Sequence, residues 1–579
     1  MTKQHNQVSG WGLVPHAGWS FLVDVPIFAA GLAMFYGIVL LAKYWAGPFS
    51  PAAEISTNVG ALPLYAVYSL LRVAIAYFLS LLFTLVYGYV AAYNAKAERV
   101  MIPLLDILQS IPVLSFLPGV MLAMMSLFPR HQIGVELGSI LLIFTGQVWN
   151  MAFSFYSSLK SIPREMKEAA ALYRFTGWQR FAQLELPYAS IGLIWNSMMS
   201  VAGGWFFLMA CEMFVLGSRD FRLPGLGSYL QTASSAGDTR AILWGMFTMI
   251  AVIVLLDQLV WRPVIAWSQK FKFEQVEAVE APKSPILELL QRSRAMHAFQ
   301  VRVSRPLSEK LALHFARRSS GKERRTTTKT GRKWILRTCA ALFVVAILYA
   351  ATDAVRLLLD LQREDLHAIA LGLGATFLRV LCALVIACAW TIPVGVWIGF
   401  NPKLARIAQP LAQVAASVPA TALFPVVLLV LIRLGHGLGI GSIALMLLGT
   451  QWYVLFNVIA GAMAIPTDLK EASTVFRLNG VERWRRLILP GIFPYLVTGL
   501  VTAGGGAWNA SIVAEYFHFK GQIFSTVGLG ATITQATDAG NFRLLLAATI
   551  VMAAVVVTIN RTVWRPMYRM AESRFKLEA

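Results

Sequence analysis

IPREMKEAAALYRFTGWQRFAQLELP, residues 162–187, and IPTDLKEASTVFRLNGVERWRRLILP, residues 465–490, are two versions of one stretch. Each opens on Ile-Pro and places Glu-Ala six residues later, at Glu168-Ala169 and Glu471-Ala472. Each closes on Leu-Pro 19 residues past that glutamate, at Pro187 and Pro490. Proline fits the first turn of a helix, and K-E-A-A or K-E-A-S consists mostly of helix formers. The closing proline ends or kinks what precedes it and opens the next segment. Each copy therefore predicts a short helix-turn-helix, a polar island between long apolar runs.

The surroundings of the two islands repeat as well. The chain has 579 residues, 57% hydrophobic and 14% charged, against roughly 25% charged in an ordinary soluble domain. Apolar runs of membrane-spanning length are expected at about 21–45, 67–93, 103–128, 136–159, 189–216 and 240–268, then at 335–359, 369–398, 407–432, 442–464, 491–517 and 541–565. This predicts an all-α polytopic membrane protein of about 12 transmembrane helices in two tandem six-helix units. Ser69-Leu70-Leu71-Arg72-Val73 aligns with Thr376-Phe377-Leu378-Arg379-Val380, and Ser110-Ile111-Pro112 with Ser417-Val418-Pro419. Trp205 and Glu212 match Trp508 and Glu515 at the same 303-residue offset as the loop glutamates. Gly225-Leu226-Gly227 matches Gly528-Leu529-Gly530, and Trp261-Arg262-Pro263 matches Trp564-Arg565-Pro566. Each unit has an even number of spans, so the copies keep one orientation and any shared pathway lies on a pseudo-two-fold axis along the membrane normal.

Charge sets the expected sides. Segments 1–20, 94–102, 160–188, 399–406, 465–490 and 566–579 hold 18 Lys and Arg, and the opposite set holds 6. Lys and Arg concentrate in the cytoplasm, which puts both islands, both termini and the linker there. About half of the net charge of +21 lies in that linker: residues 270–333 carry 16 Lys and Arg against 6 Asp and Glu. The linker reads as a solvated tether; the alternative, from apolar Leu307, Leu311 and Phe315 at helical spacing, is a helix on anionic lipid; it is not a nucleic-acid-binding domain. The N-terminus reads as an uncleaved first span and not as a signal peptide. Cys211, Cys339, Cys382 and Cys388 show no metal or disulfide spacing. No G-x-x-x-x-G-K-[ST] phosphate loop, H-E-x-x-H or G-x-S-x-G is present, so no catalytic or metal site is expected.

The paired islands resemble the EAA loop of binding-protein-dependent ABC importer permeases of the type I fold. That motif is E-A-A, three residues, Gly, nine residues, Ile, one residue, Leu-Pro. Glu168, Ala169, Ala170, Leu184, Leu186 and Pro187 fall on it, as do Glu471, Ala472, Ser473, Leu487, Leu489 and Pro490. The Gly position instead holds Arg174 and Arg477, with Gly177 and Gly480 three residues later. The Gly-Gly-x-Trp and Gly-x-Trp runs, the Glu that follows and the Gly-Leu-Gly resemble the nitrate/sulfonate/taurine-type branch, here with two permeases fused.

The resemblance implies the pathway subunit of an ATP-driven importer for a small solute, an anion if the branch resemblance carries over, in a bacterial inner membrane. Residues 1–66 would be an N-terminal tail and first helix, 67–268 a permease domain, and 269–334 the linker. Residues 335–368 would hold the first helix of the second half, 369–568 its permease domain and 569–579 the tail. Two cytoplasmic ABC ATPase subunits would hold ATP and Mg and grip Glu168, Ala169, Ala170, Arg174, Gly177, Glu471, Ala472, Ser473, Arg477 and Gly480. An extracytoplasmic solute-binding protein would deliver the solute. An ion-gradient-driven secondary transporter is the alternative, but such a carrier has no use for two matched docking loops.

Trp205 with Glu212, and Trp508 with Glu515, are seven apart and share one helix face. A carboxylate inside an apolar span is costly unless paired, protonated or facing water. One reading puts these four residues on the translocation pathway or its gate. The other has each Glu bond a neighbouring helix near the outer interface, with each Trp an interface anchor. Arg72 and Arg379, early in their spans, read as snorkelling to the outer headgroups.

Overall fold

The computed structural model describes residues 54–271 and 361–574, apart from 129–131, 217–218, 434–436 and 520–521, together with isolated positions between 272 and 360. The expected spans 21–45 and 335–359, and the linker beyond residue 271, lie outside the described residues except at those positions.

Eight described helices are long and apolar enough to cross a membrane. The first half contains α1 (Leu62–Tyr93), α2 (Ala95–Ser110), α3 (Leu117–Leu127), α4 (Ile133–Ser161), α5 (Arg164–Leu172), α6 (Gly177–Glu212), α7 (Leu226–Ala236) and α8 (Thr239–Ser268). The second half repeats them as α9 (Arg363–Phe400), α10 (Pro402–Ser417), α11 (Ala420–Arg433), α12 (Leu438–Ala464), α13 (Thr467–Val475), α14 (Gly480–Ala514), α15 (Leu529–Asp538) and α16 (Phe542–Ala571). Between α6 and α7 the strands β1 (Val215–Leu216) and β2 (Arg219–Asp220) pair antiparallel, and β3 (Tyr516–Phe519) pairs with β4 (Gln522–Ser525) between α14 and α15.

The apolar runs at 103–128 and 407–432 are not single helices. Each is broken at its Ser-x-Pro. Ile111 and Val418 adopt extended backbone (ψ 125° and 117°), because the residue before proline is driven out of the helical region. The prolines inside long spans act differently. Residues 181–185, 257–261, 484–488 and 560–564 each form a π turn ending two residues before Pro187, Pro263, Pro490 or Pro566. Proline offers no N–H to the carbonyl four residues back and pushes it aside, and the wider π turn absorbs the displacement.

In each half the first long helix packs on the fourth and the fourth on the sixth: α1 on α4 on α6, and α9 on α12 on α14. Small residues allow the close approach. A Cβ on Gly88 would meet Phe155 at 2.7 Å, and one on Gly395 would meet Val458 at 2.8 Å. The halves share one buried cluster, in which Val113, Leu114, Leu117 and Cys211 pack with Phe424, Trp508 and Phe517. The turn after Pro112 is also held by the second half: the Leu114 N–H donates to Asn509 Oδ1 (3.4 Å) and Thr549 Oγ1 donates to the Ser115 carbonyl (3.2 Å).

Candidate functional site

The two loops fold alike. In each, the helix from Arg164 or Thr467 is nine residues long, about two and a half turns, and begins after the Ile-Pro. Glu168 and Glu471 are exposed, Ala169 and Ala472 half-buried, and Ala170 and Ser473 buried. The helix ends in a left-handed residue, Arg174 (φ 49°) or Arg477 (φ 50°), and these are the only positive-φ residues other than glycine among the described residues. The Phe175 N–H reaches the Ala170 carbonyl and the Arg174 N–H that of Ala171; Leu478 to Ser473 and Arg477 to Thr474 match them. This is the Schellman ending, for which glycine is the usual residue. The family's Gly position is therefore a conformational requirement, and here an arginine adopts it at a cost of about 1 kcal/mol. Gly177 and Gly480 do not take over that role. They open the next helix, where the Thr176 and Asn479 side chains cap the N–H groups of Gln179 and Glu482.

The turn leaves large apolar side chains in the open: Leu172 is 83% exposed and Tyr173 79%, and Val475 and Phe476 match them at 78% and 77%. The anchors behind the two tips differ. In the first loop Arg180 pairs with Glu185 (2.7 Å), which accepts from the Tyr93 hydroxyl (2.6 Å). In the second, Lys470 and Arg483 both sit over the Phe400 ring (4.8 and 5.6 Å). Burial, and then the Arg483 charge, hold Lys470 below the usual lysine range.

At the other end of each half lies a buried ionic clasp. Arg72 grips Glu136 with two bonds (Nε and Nη2, both 2.6 Å) and donates through Nη1 to Glu212 Oε1 (2.6 Å) and the Pro224 carbonyl (2.9 Å). Ser69 Oγ donates to Glu212 Oε1 (2.7 Å) and accepts from the Leu226 N–H (2.9 Å). The Gly227 N–H donates to Glu212 Oε2 (2.7 Å), so the carboxylate sits at the N-terminus of α7, where an anion is favoured. Glycine is required there because a Cβ on Gly225 would run into the Glu212 carboxylate, as one on Gly528 would into Glu515.

The second half repeats the clasp with one change. Thr376 Oγ1 and Arg379 Nη1 donate to Glu515 Oε1 (both 2.8 Å), and the Gly530 N–H donates to Oε2 (2.9 Å). Glu136 has no counterpart. At its 303-residue mate stands Gly439, and Arg379 Nη2 instead donates to Thr526 Oγ1 (2.8 Å). The first clasp thus holds two carboxylates on one guanidinium, and the second holds one.

This geometry corrects the arginine reading. Arg72 is fully buried and does not snorkel, and Arg379 is only 13% exposed. The sequence also bears on the glutamates in a way the structure redirects. Glu212 and Glu515 are enclosed by partners of their own half, and Trp205 and Trp508 are buried in the hydrophobic cores and are not interface anchors. The face that carries them points into the helical core and not into the cavity between the halves. That cavity, about 120 Å³, is lined on α6 by Met199, Ala202, Gly203, Phe206 and Phe207, and opposite by residues that include Trp452, Tyr453, Gly506 and Asn509. Its α6 face lies about one residue, some 100° of helix, from the one expected. No group of three or more His, Cys, Asp or Glu suited to a metal occurs among the described residues.

A family model described as the binding-protein-dependent transport system inner membrane component matches residues 84–260 and again residues 391–569, more than half of the chain. The chain belongs to this family. It is a tandem duplication of the permease unit, an all-α multi-pass membrane protein. The chain is similar to the nitrate import permease protein of Leptolyngbya laminosa (26% identical over 191 residues, 33% of this chain and 65% of the relative). It is similar to the bicarbonate transport system permease protein of Synechococcus elongatus (28% over 189 residues, 33% and 65%) and to the taurine transport system permease protein of Escherichia coli (29% over 186 residues, 32% and 62%). Each match spans less than two thirds of the relative. The nitrate and taurine permeases are of the branch that the Trp, Glu and Gly-Leu-Gly positions resemble.

Proposed function

We propose that the chain forms the whole transmembrane pathway of an ABC importer, with the two units of the duplication in the roles of two separate permeases. The observation that carries this reading is the matched pair of loops. Each combines an exposed glutamate with an exposed apolar tip on a rigid Schellman turn, at the same place in each half. Exposed apolar tips of this size on an otherwise polar loop favour a protein partner. On this reading two ABC ATPase subunits grip Glu168, Ala169, Ala170, Arg174 and Gly177 on one side and Glu471, Ala472, Ser473, Arg477 and Gly480 on the other. ATP and Mg are held by those subunits, and hydrolysis moves the loops. A solute-binding protein docks at the hairpin end. The charge bias supports a cytoplasmic position for the loops and both termini in a bacterial inner membrane. The solutes named for the relatives support a small anion or zwitterion as cargo.

Glu212 and Glu515 act on this reading as clasps that fix the hairpin ends of the helices, and Trp205 and Trp508 pack behind them. Uptake of nitrate, bicarbonate and taurine by the native host tests the coupling role. The Glu168→Lys/Glu471→Lys variant should reach the membrane at the wild-type level and lose ATP-driven uptake. Unchanged uptake in that variant would contradict the reading.

A further inference from the structure

The cavity between the halves is lopsided. Every polar side chain that lines it comes from the second half: Tyr453, Asn509 and the indole of Trp452. The first half contributes only apolar groups, and no charged residue lines it. The repeat makes the asymmetry readable position by position. Gly203 and Gly506 are mates, but Phe206 stands opposite Asn509, Phe207 opposite Ala510, and Asn150 opposite Tyr453. Asn150 does not line the cavity. The Tyr453 ring lies between the two mated glycines. A Cβ on Gly506 would stand 3.6 Å from the ring, and one on Gly203, across the interface, 3.7 Å from the hydroxyl. Asn509 is partly committed, since its Nδ2 donates to the Gly505 carbonyl (3.1 Å) and its Oδ1 accepts from Leu114. The Tyr453 hydroxyl has no hydrogen-bond partner among the described residues.

A donor without a partner in a small neutral cavity is suited to a passing acceptor. A cavity of about 120 Å³ is close to the roughly 150 Å³ that accommodates benzene, so the occupant is compact. Without a fixed counter-charge it is held weakly, which passage requires. We infer that the second half alone recognises the solute, through a hydrogen bond donated by the Tyr453 hydroxyl to an oxygen of a compact polar solute, while Phe206 and Phe207 of the first half form a shape-setting apolar wall. This inference rests on the pathway reading above.

Two arms test it in the full complex of the native host. The first needs no solute. In a variant without the four native cysteines, Tyr453→Cys should react with 2-sulfonatoethyl methanethiosulfonate at least ten times faster than Asn150→Cys, in vesicles of one orientation or the other. Equal rates, or an unreactive Tyr453→Cys with and without ATP and vanadate, overturn the inference. The second arm measures uptake of nitrate, bicarbonate and taurine. For whichever is transported, Tyr453→Phe should raise KM about tenfold, the value of one lost hydrogen bond in a desolvated site, at wild-type expression, and Asn150→Ala should leave KM unchanged. An unchanged KM for Tyr453→Phe overturns the inference and leaves the importer reading intact. Uptake that survives Glu168→Lys/Glu471→Lys removes the importer reading and leaves the thiol result standing.

Discussion

Replacing Arg72 with Leu removes the only cation, among the described residues, that pairs with two buried carboxylates. Glu136 and Glu212 are both fully buried, and both accept from Arg72 at 2.6 Å. Breaking a buried ion pair by deleting one partner costs about 3–5 kcal/mol, and two orphaned anions put Arg72→Leu at the upper end of that range. Glu212→Gln is milder. Arg72 keeps both bonds to Glu136, and the amide oxygen still accepts from Ser69 and Arg72. The main loss is at Oε2, where an NH2 group would face the Gly227 N–H, leaving a buried donor unsatisfied at about 1–3 kcal/mol. Glu515→Gln should exceed Glu212→Gln, because Arg379 has no second carboxylate and would be left with neutral acceptors alone: the amide oxygen, the Val527 carbonyl and the Thr526 hydroxyl. The order Arg72→Leu, then Glu515→Gln, then Glu212→Gln is read by equilibrium unfolding of the purified chain in mixed micelles. Uptake per folded molecule should stay at the wild-type value in Glu212→Gln. A Glu212→Gln variant as unstable as Arg72→Leu would refute the clasp argument. So would a fully stable Glu212→Gln variant with altered transport, which would restore the gate reading.

Three other outcomes follow from the same geometry. Arg174→Gly and Arg477→Gly relieve a left-handed non-glycine residue and should each be neutral to stabilising by up to about 1 kcal/mol; a loss of stability in the same unfolding measurement would show that the arginine side chain holds the turn. Single cysteines at Arg180 and Arg486, in a cysteine-free background, should resist an impermeant thiol reagent in whole cells and react in inverted vesicles. Labelling in intact cells would reverse the topology. Gly225→Ala and Gly528→Ala should both lower folded yield sharply, since each methyl collides with a buried carboxylate, and normal yield would mean the Gly-Leu-Gly turn is not held against the glutamate.

Much of the architecture was legible because it occurs twice. The 303-residue offset, the loop helices and the matched Glu and Gly-Leu-Gly positions all follow from comparing the halves, and the Schellman turn shows what the family's Gly position demands of Arg174 and Arg477. What was missed is long-range. Ser69-x-x-Arg72 and Thr376-x-x-Arg379 repeat alongside Glu212 and Glu515, and opposite charges repeated inside apolar spans are better paired than snorkelled; that signal was present and pointed to the clasp. Glu136 gave none, because its mate is Gly439. The Trp-Glu face and the cavity face are separated by helix geometry alone: with 100° between successive residues, one residue of phase sets Phe206 in the lining and Trp205 in the core. The helix breaks at Pro112 and Pro419 were readable from the residue before proline, but the apolar runs around them concealed the break.

The central claim is that both loops are gripped by ATPase subunits, and cross-linking at the loop tips tests it most directly. A photo-crosslinking amino acid placed at Leu172 or at Val475, both widely exposed, is activated in living cells of the native host and the captured protein is identified by mass spectrometry. Capture of a protein with a G-x-x-x-x-G-K-[ST] phosphate loop from both positions is the result the account predicts. Capture of no such protein from either position, with the chain present in the membrane at its normal level, would contradict it.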